Sequence, residues 1–534
     1  MKKNLTFRIV LTILFAFILY YFMLPPINLQ SPAFYAFVII ILIFYFMISI
    51  PSIFENITFS LMGKRRLDID KKARYIIYTI LGIVLLIILI NIILSPVFNA
   101  KSYYNRISIN EEGNFSNDIE EVDFNHIPLL DKDSSQKLGD RVMGQMTDLV
   151  SQFYVSELYT QINYNEDIVR VTPLEYSDFI KYFTNRKNGV PAYITVNSVT
   201  GKANLTRLDK GMRYMPSALF FENLYRKIRL LYPTEIFGKE SFEIDNEGNP
   251  YWVIPTMKYS GIGLKREVSS VIVLNPITGD SVKYDVKDVP TWIDHVYSSD
   301  LIIEQVNDWG KYKNGFLNTI FGQKDVVATT TGYNYTIMND DVYLYTGITS
   351  VVSDESNIGF ILTNMRTKET TFYEIAGAEE YSAMASAEGQ VQQMKYIASF
   401  PLLINFKGNP TYLLSLKDNA GLVKMYAFVD VKDYQKVVVT DSSKGIENAA
   451  QNYLSEIELI NEEKLVEATI KIDEITSAVI DGNTYYYIID DKEVKYKASI
   501  KINKDIIPFI SKGDKLKVLF DDSTEIKEII ELNR

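Results

Sequence analysis

The sequence contains no cysteine among its 534 residues. This absence excludes a disulfide framework, a thiolate nucleophile and any zinc or iron–sulfur site built on cysteine. Histidine is almost as scarce, with only His126 and His295. A zinc site with two histidine ligands would have to join these distant positions, so a solvated or capping role fits each histidine better. The sequence therefore predicts no metal ion and no cofactor.

Signatures of catalysis are also missing. The chain has no H-E-x-x-H, no G-x-S-x-G and no G-x-x-x-x-G-K motif. Carboxylates are abundant, and paired acids can hydrolyse glycosides, so a hydrolase of wall glycans stays open as an alternative. The acids near two predicted helices are Asp294, Glu304, Asp308, Glu379, Glu380 and Glu388. Acids in first helical turns also favour the helix dipole without any catalytic role, and this structural interpretation is preferred.

Long hydrophobic runs occupy the N-terminal part of the chain. Ile9 to Leu24, Phe34 to Ile50 and Tyr75 to Val97 carry no charged residue. A bilayer core needs about 20 residues of helix, so the runs predict three transmembrane helices at about 7–26, 33–53 and 75–97. A cleaved signal peptide is the alternative for the first run, but the following "PPINLQ" lacks a small-x-small cleavage site.

Basic residues set the predicted orientation. Lys2, Lys3 and Arg8 precede or begin the first run, and "KRRLDIDKKAR" lies between the second and the third. Positively charged loops stay in the cytoplasm. The N-terminus is therefore predicted to be cytoplasmic and residues 100–534 extracytoplasmic. The lack of cysteine and the richness in Lys, Ile, Asn and Tyr favour a bacterial cell membrane of the Gram-positive type.

Charge divides the chain into two unequal parts. Residues 1–99 hold nine Lys or Arg and three acids, which gives this part a net charge of +6. Since the whole chain has a net charge of −11, residues 100–534 carry −17. Such an acidic part disfavours nucleic acid as a partner. The expected partners are the lipid bilayer and envelope proteins or a cell-wall polymer, and the sequence does not indicate the oligomeric state.

Short strands with turn signals fill the predicted outer part. "AYITVNSVTGK", "SVIVLNPITGD" and "GFILTNMRTKE" each alternate apolar residues before a turn. Two segments with helical spacing precede the fuller copies, and a further helix is predicted from Lys137 to Tyr159. A helix laid on a small antiparallel sheet buries both apolar faces, so the segments predict tandem α+β modules.

The last 70 residues differ from these modules because they are almost all alternating strand. Asp481-Gly482 is a hairpin signal, and the pattern predicts a five-stranded small barrel of the OB-like or SH3-like kind. Barrels of this kind can bind sugars or wall polymers, which is a second alternative function. The cluster Tyr485, Tyr486 and Tyr487 alternates in and out, so a structural or protein-contact role is preferred.

The order helix, "GNPYWVIP", hairpin and "VIVLNPITGDSVKY" resembles a PepSY-like module, best over residues 246–285. Residues 406–439 keep the opening but replace Thr-Gly with "KDY". More widely, "TWIDHVY", "DWGKYKNGF", "YTGITSV" and "GAEEYSAMASAEGQVQ" resemble uncharacterised multi-pass bacterial envelope proteins. The resemblance implies modules that bind or regulate partners outside the membrane.

The predicted fold class is α+β, with three transmembrane helices, tandem helix-plus-antiparallel-sheet modules of PepSY-like type and a C-terminal barrel. The predicted domains are a membrane domain 1–99, a stalk 100–136, a first α+β module 137–210, a PepSY-like module 211–290, a helix with an antiparallel meander 291–376, a second PepSY-like module 377–440, a helical linker 441–463 and the barrel 464–534.

The predicted function is a non-enzymatic, membrane-anchored envelope protein that binds or regulates partners or acts as a scaffold. An alanine-rich helix allows close approach of another element, and the "WIDHVY" segment begins with Trp292 and is followed by Trp309. The candidate partner-contact residues are Glu379, Glu380, Ala383, Ala385, Ala387, Gly389, Trp292, His295 and Trp309.

Overall fold

The computed structural model describes residues 2–54, 71–165, 167–338, 340–350, 353–457, 466–480, 483–504, 506–520 and 524–533. The chain divides into two compact units, Met1–Ala450 and Gln451–Arg534. Helices α1 to α11 are Lys2–Met23, Pro32–Phe54, Lys71–Leu94, Pro96–Tyr104, Phe115–Asp118, Lys132–Gly144, Phe179–Asn185, Leu224–Leu231, Ser299–Tyr312, Glu380–Gln390 and Ile446–Ile457.

Strands account for most of the elements. Strands β1 to β11 are Ile109–Gly113, Phe153–Val155, Thr160–Tyr164, Asp167–Tyr176, Val190–Asn197, Ala203–Met212, Ile236–Phe237, Ser241–Ile244, Pro250–Lys258, Glu267–Leu274 and Ser281–Asp285. Strands β12 to β22 are Val327–Thr329, Asn334–Met338, Asp341–Ser350, Ser353–Asn364, Thr370–Tyr373, Gly377–Ala378, Ile397–Ala398, Leu402–Phe406, Asn409–Lys417, Val423–Asp430 and Val437–Asp441. Strands β23 to β27 are Val466–Ile480, Asn483–Asp490, Lys495–Ser499, Lys515–Phe520 and Glu525–Asn533.

The predicted fold class is wrong in its count of membrane helices. Within the described residues, two helices are long and apolar enough to cross a membrane, Leu5–Met23 and Arg74–Leu94. The second run forms α2, but its apolar part, Pro32–Ile48, spans only about 25 Å at 1.5 Å per residue, short of a core of about 30 Å. Lys64, Arg65 and Arg66, which supported the predicted orientation, lie outside the described residues.

The first two helices form an antiparallel hairpin. The rings of Phe15 and Phe44 stack at 3.9 Å, and those of Tyr20 and Phe37 meet edge to face at 6.0 Å. Residues late in α1 therefore contact residues early in α2. The link between them, residues 24–31, lies at the same end of the helices as the carboxyl end of α3.

The sheets of the first unit are mainly antiparallel. The first sheet has the order β2-β4-β5-β6, with β3 paired to β4, and the second has the order β11-β10-β9-β7, with β8 paired to β9. The third sheet has the order β1-β16-β15-β14-β12, with β13 paired to β14 and β17 paired to β15. The fourth sheet has the order β18-β20-β21-β22, with β19 paired to β20. We call residues 100–450, which contain these four sheets, the sheet body.

The four sheets stack through shared cores, which is the second correction to the predicted fold class. In β9, Trp252 and Ile254 pack toward the first sheet, whereas Val253 packs toward the third. The third sheet also has two packed faces, because Ile361 packs toward the second sheet and Phe360 packs toward the fourth. Because successive strand residues point to opposite faces, these sheets are buried on both sides. The chain is therefore built mainly of stacked sheets, and the prediction of separate modules with one helix on each sheet is wrong.

Residues 100–136, predicted as a stalk, are part of the sheet body. β1 pairs in parallel with β16 through Ile109 and Thr370. Further along, Glu121 forms a bridge with Asn405. Phe115 and Ile127 are buried, so this segment is held along its length by packing and pairing.

The helix predicted from Lys137 to Tyr159 is shorter and begins earlier. α6 starts after Asp131, whose side chain caps it by accepting from the backbone N–H of Ser134, and it ends at Gly144. Phe153 then belongs to β2 and pairs with Tyr176. The apolar spacing continued past the helix because the turn and strand that follow also bury Leu149 and Phe153.

The second unit contains a five-stranded closed barrel in the order β23-β24-β25-β27-β26. Its core includes Ile470, Ile488 and Val518. Tyr486 packs against that core, and the Nζ of Lys497 lies 4.4 Å from the Tyr485 ring. The predicted hairpin residues Asp481 and Gly482 lie outside the described residues, between paired strands β23 and β24.

Candidate functional site

A cleft of about 860 Å³ lies where the N-terminal helices meet the second sheet. Three distant segments line it: the link between α1 and α2, the helix α4, and the turn that joins β9 to β10. Its charged and amide-bearing lining includes Gln30, Lys101, Arg106, Lys258, Lys265 and Glu267. A volume of this size is in the range of small-molecule sites, roughly 300–1,000 Å³.

The turn between β9 and β10 is shaped to reach the helices. Its sequence "KYSGIGLKR" places Gly261 at φ +93° and Gly263 at φ +76°, values that favour glycine. A Cβ atom on Gly263 would lie 2.6 Å from Cγ of Pro32. Glycine therefore lets the turn approach the start of α2 closely.

Hydrogen bonds fix this turn to two helix ends. The side chain of Asn91, near the end of α3, accepts from the N–H of Ile262 and donates to its carbonyl, each at 3.0 Å. Gln30 accepts from the N–H of Tyr259 at 3.2 Å through its side chain, and its carbonyl accepts from Gly263 at 3.0 Å. These bonds position one wall of the cleft.

A second attachment holds the end of α1. Arg229 on α8 is buried, and its Nε donates to the carbonyl of Leu24 at 3.0 Å. Arg226 lies with its guanidinium 4.0 Å from the centroid of the Tyr21 ring. Cations at a helix carboxyl end complement the helix dipole. Burial lowers the pKa of Arg229 to about 10, so the residue stays charged near neutral pH.

Arg106 forms the base of the cleft. Its guanidinium donates to Glu304 at 2.7 Å and to Asp308, and also to the carbonyl of Arg266 at 2.7 Å. Glu304 and Asp308 are four residues apart on α9 and therefore share one face. Burial raises the pKa of Asp308, although Arg106 acts in the opposite direction.

The rim of the cleft carries cations with few partners. Lys101 and Lys258 are exposed, and neither forms an ion pair within the part of the chain that the structure describes. Lys265 is half-buried and donates to Oγ of Ser102. Glu267 is paired with Lys368 at 2.9 Å and accepts from Gln305 at 3.0 Å. The lining therefore has a net positive charge that is not neutralised locally.

The alanine-rich helix predicted as a partner contact divides between two environments. Ala383 and Ala387 are fully buried in the core between the third and fourth sheets, which explains their small side chains by internal packing. Ala385 and Gly389 are exposed on the opposite side of α10. The structure brings these two residues together on a free surface, where the predicted contact stays a prediction.

The acids of that helix have internal partners. Glu380 is fully buried and accepts from the side chain of Asn357 at 3.3 Å, and burial raises its pKa. Glu388 accepts from the N–H of Ala398 at 2.9 Å. Glu379 is half-buried at the start of α10. These contacts give the buried acid a structural role at the third and fourth sheets.

The "WIDHVY" residues lie between sheets. Trp292 is half-buried with its ring 5.0 Å from that of Tyr251. The Nε2 of His295 lies 2.6 Å from the carbonyl oxygen of Gln161. Trp309 is buried on α9, with its ring 6.3 Å from that of Phe372. Both tryptophans therefore pack at the core that the second and third sheets share, and His295 makes an internal contact with the first sheet.

A buried carboxylate pair lies beside this segment. Asp294 and Glu243 are almost fully buried, and Glu243 accepts from the N–H of Asp294 at 2.8 Å. Burial, followed by the charge of Glu243, raises the pKa of Asp294 well above its ordinary value. Asp294 also accepts from the N–H of Asn163 at 2.8 Å. In the described ranges, no group of three or more His, Asp or Glu residues is placed to hold a metal ion.

The sequence interpretation missed the cleft. Lys101 and Arg106 follow closely after an apolar run whose end was predicted to be extracytoplasmic, and basic residues there go against the usual distribution of positive charge. This unusual placement of basic residues was the sequence feature that could have indicated the cleft. Lys258 and Lys265 flank a glycine-rich turn, but their approach to α4 depends on folding of distant segments.

Comparisons with known proteins give little. No family model and no curated protein matches the chain. Similar solved structures include an apocarotenoid oxygenase from Synechocystis, 8% identical with a TM-score of 0.13, and an ACO/RPE65 chimera, 7% identical with a TM-score of 0.14. Each alignment covers 53% of this chain and 47% of the other, so the chain spans about half of their length. Scores this low carry no argument about fold or function.

Proposed function

We propose that this chain is a non-enzymatic, membrane-anchored protein of the bacterial cell envelope that acts by binding a protein partner or a wall polymer. Two apolar helices near the N-terminus have the length and composition to cross a membrane. The PepSY-like resemblance of residues 246–285 supports a binding or regulatory role for the attached sheets.

The attachment of both helix ends to the sheet body carries this proposal. Arg229 donates to the end of α1, and Asn91 near the end of α3 exchanges two hydrogen bonds with Ile262. Residues 246–285 include Ile262, so the segment with the PepSY-like resemblance is bonded directly to the candidate anchor. A rigid attachment of this kind suits a protein that presents a surface at a fixed height above the bilayer.

The direction of the helices supports an extracytoplasmic sheet body. α1 and α3 both run with their carboxyl ends toward the second sheet. Their amino ends, which carry Lys2, Lys3 and Arg74, therefore point away from it. Because positive charge near a span favours the cytoplasmic side, the opposite end and the sheet body would lie outside.

The exposed side of α10 is the proposed partner contact. Ala385 and Gly389 lie there with little side chain, and a Cβ atom on Gly389 would meet nothing within 4 Å. A partner strand or helix could approach this backbone closely. The buried side of the same helix is packed, which would hold the contact surface in place.

Site-specific photocrosslinking in living cells tests this function. A photoreactive residue at Ala385 is expected to capture a defined envelope component, and the same residue at exposed Lys187 in the first sheet region serves as the matched control. Loss of the Ala385 product in an Ala385 crosslinker chain that also carries Gly389→Arg would support a specific contact. Equal products from Ala385 and Lys187, or no product from Ala385, would contradict it.

A further inference from the structure

The cleft between α4 and the turn of β9 and β10 is a cationic site in an acidic protein. Residues 100–534 carry a net charge of −17, yet the cleft is lined by Lys101, Arg106, Lys258 and Lys265 against a single carboxylate, Glu267. We propose that it binds a phosphate-bearing anion, and that in the cell this anion is the head group of an anionic phospholipid.

The charges that face the cleft are available to a ligand in different degrees. Arg106 is already paired with Glu304 and Asp308, so it shapes the base and contributes little free charge. Glu267 is neutralised by Lys368. Lys101 and Lys258, by contrast, have no carboxylate within ion-pair distance among the described residues, and they come from different segments of the lining, α4 and the end of β9. A phosphate between them would receive two charge-assisted contacts.

Further hydrogen-bond donors complete the site. The Nζ of Lys265 is held at Oγ of Ser102, which keeps a third ammonium group in the lining. The side chain of Asn105 also lines the cleft and is exposed. Ammonium, hydroxyl and amide groups are the donors that phosphate oxygens accept from.

The position of the cleft favours a lipid as the source of the phosphate. The candidate span Arg74–Leu94 ends one helical turn before Phe98, which lines the cleft and is 69% exposed. Leu29, in the link beside Gln30, is also 69% exposed. Exposed apolar side chains beside lysines at a helix end match the boundary between acyl chains and head groups. The lipid assignment thus rests on the membrane attachment in the proposed function, whereas phosphate binding does not.

Native mass spectrometry of the full-length protein in detergent tests the proposal. The probes are phosphatidylglycerol, phosphatidylcholine of the same chain length, and inorganic phosphate. The variant is K101Q/K258Q, and the matched control is K187Q/K210Q, which removes two exposed lysines elsewhere. A third form, K101R/K258R, keeps both charges.

The expected result is preferential binding of phosphatidylglycerol to the wild type. The affinity should fall about thirtyfold in K101Q/K258Q, since each lysine near an anionic lipid surface strengthens binding by a factor of about five. It should persist in K187Q/K210Q and in K101R/K258R. All four forms should elute and unfold alike, because neither Lys101 nor Lys258 has an ion pair to lose among the residues that the structure describes.

Three other results would overturn the proposal in whole or in part. If K101Q/K258Q and the control behave alike, the cleft is not the site. If phosphatidylcholine binds as well as phosphatidylglycerol, no anion is recognised. If only inorganic phosphate depends on Lys101 and Lys258, the lipid is excluded as the source. Failure of the proposed membrane attachment is separate, because it would appear as release of wild-type protein from membranes by alkaline carbonate.

Discussion

At the scale of single residues, the sheet body contains acids whose burial alters their protonation. Glu175 on β4 is 3% exposed, and its carboxylate accepts from the N–H of Ser217 at 3.0 Å. Burial raises the pKa of Glu175 to about 7, although Ser217 opposes the shift. The carboxyl is therefore protonated in the folded protein at mildly acidic pH, where the unfolded chain would already ionise it.

Stability should consequently fall as the pH rises through the range of this group. The folded state binds the proton more tightly than the unfolded state. The contribution of Glu175 to the free energy of unfolding is therefore complete below about pH 4.5 and is lost between about pH 4.5 and 7. At pH 8 the Glu175→Gln variant should be more stable than the wild type, by about 3 kcal/mol from the size of the shift. Denaturant unfolding at a series of pH values measures this difference.

Exposed Glu157 provides the control for that measurement. Glu157→Gln removes the same charge from the same region without changing a buried group. The free energy of unfolding of Glu157→Gln should depend on pH in the same way as that of the wild type. If Glu175→Gln and Glu157→Gln gave the same dependence between pH 4.5 and 8, the buried carboxyl would not be the cause.

At the scale of elements, the glycine-rich turn between β9 and β10 joins the second sheet to the helices. Gly263 is needed there for two reasons, its positive φ and the close approach of Pro32. Gly315 also has a positive φ of +83°, but a Cβ atom on it would meet nothing within 4 Å. Substitution of Gly315 therefore adds backbone strain alone, whereas substitution of Gly263 adds the same strain and a steric clash with Pro32.

Substitution by alanine should distinguish the two effects. Gly315→Ala should cost about 1 kcal/mol from strain alone. Gly263→Ala should cost about 2 kcal/mol more, because the added methyl group must displace Pro32 and the hydrogen bonds of Gln30. The free energies of unfolding of the purified variants measure this difference, and equal losses would show that the approach to Pro32 is not tight.

Local features of the elements could be predicted from the sequence to differing degrees. The turn Asn275 to Gly279 was predicted from its residues, and Gly279 has φ +79° between paired strands β10 and β11. The stacking of sheets could not be predicted, because "YWVIP" and "SVIVLN" are apolar on both strand faces and such runs fit either one buried face or two. The alanines of α10 were recognised as a close-packing surface, but the pattern did not show that the core covers two of them.

At the scale of the whole molecule, the candidate site depends on long-range folding. The cleft unites Gln30, Lys101 and Lys258, and no local pattern links positions so far apart. Its charge was hidden in a composition that is acidic on average. The candidate membrane helices were visible because hydrophobic length is a local property, whereas their attachment through Arg229 and Asn91 is a tertiary one.

The central claim is that the sheet body lies outside the membrane while the N-terminus lies in the cytoplasm. Since the natural chain has no cysteine, Lys187→Cys and Asn4→Cys each create a unique thiol. A membrane-impermeant maleimide applied to intact cells should label Lys187→Cys and should label Asn4→Cys only after permeabilisation. Labelling of Asn4→Cys in intact cells, with Lys187→Cys protected until permeabilisation, would contradict the account.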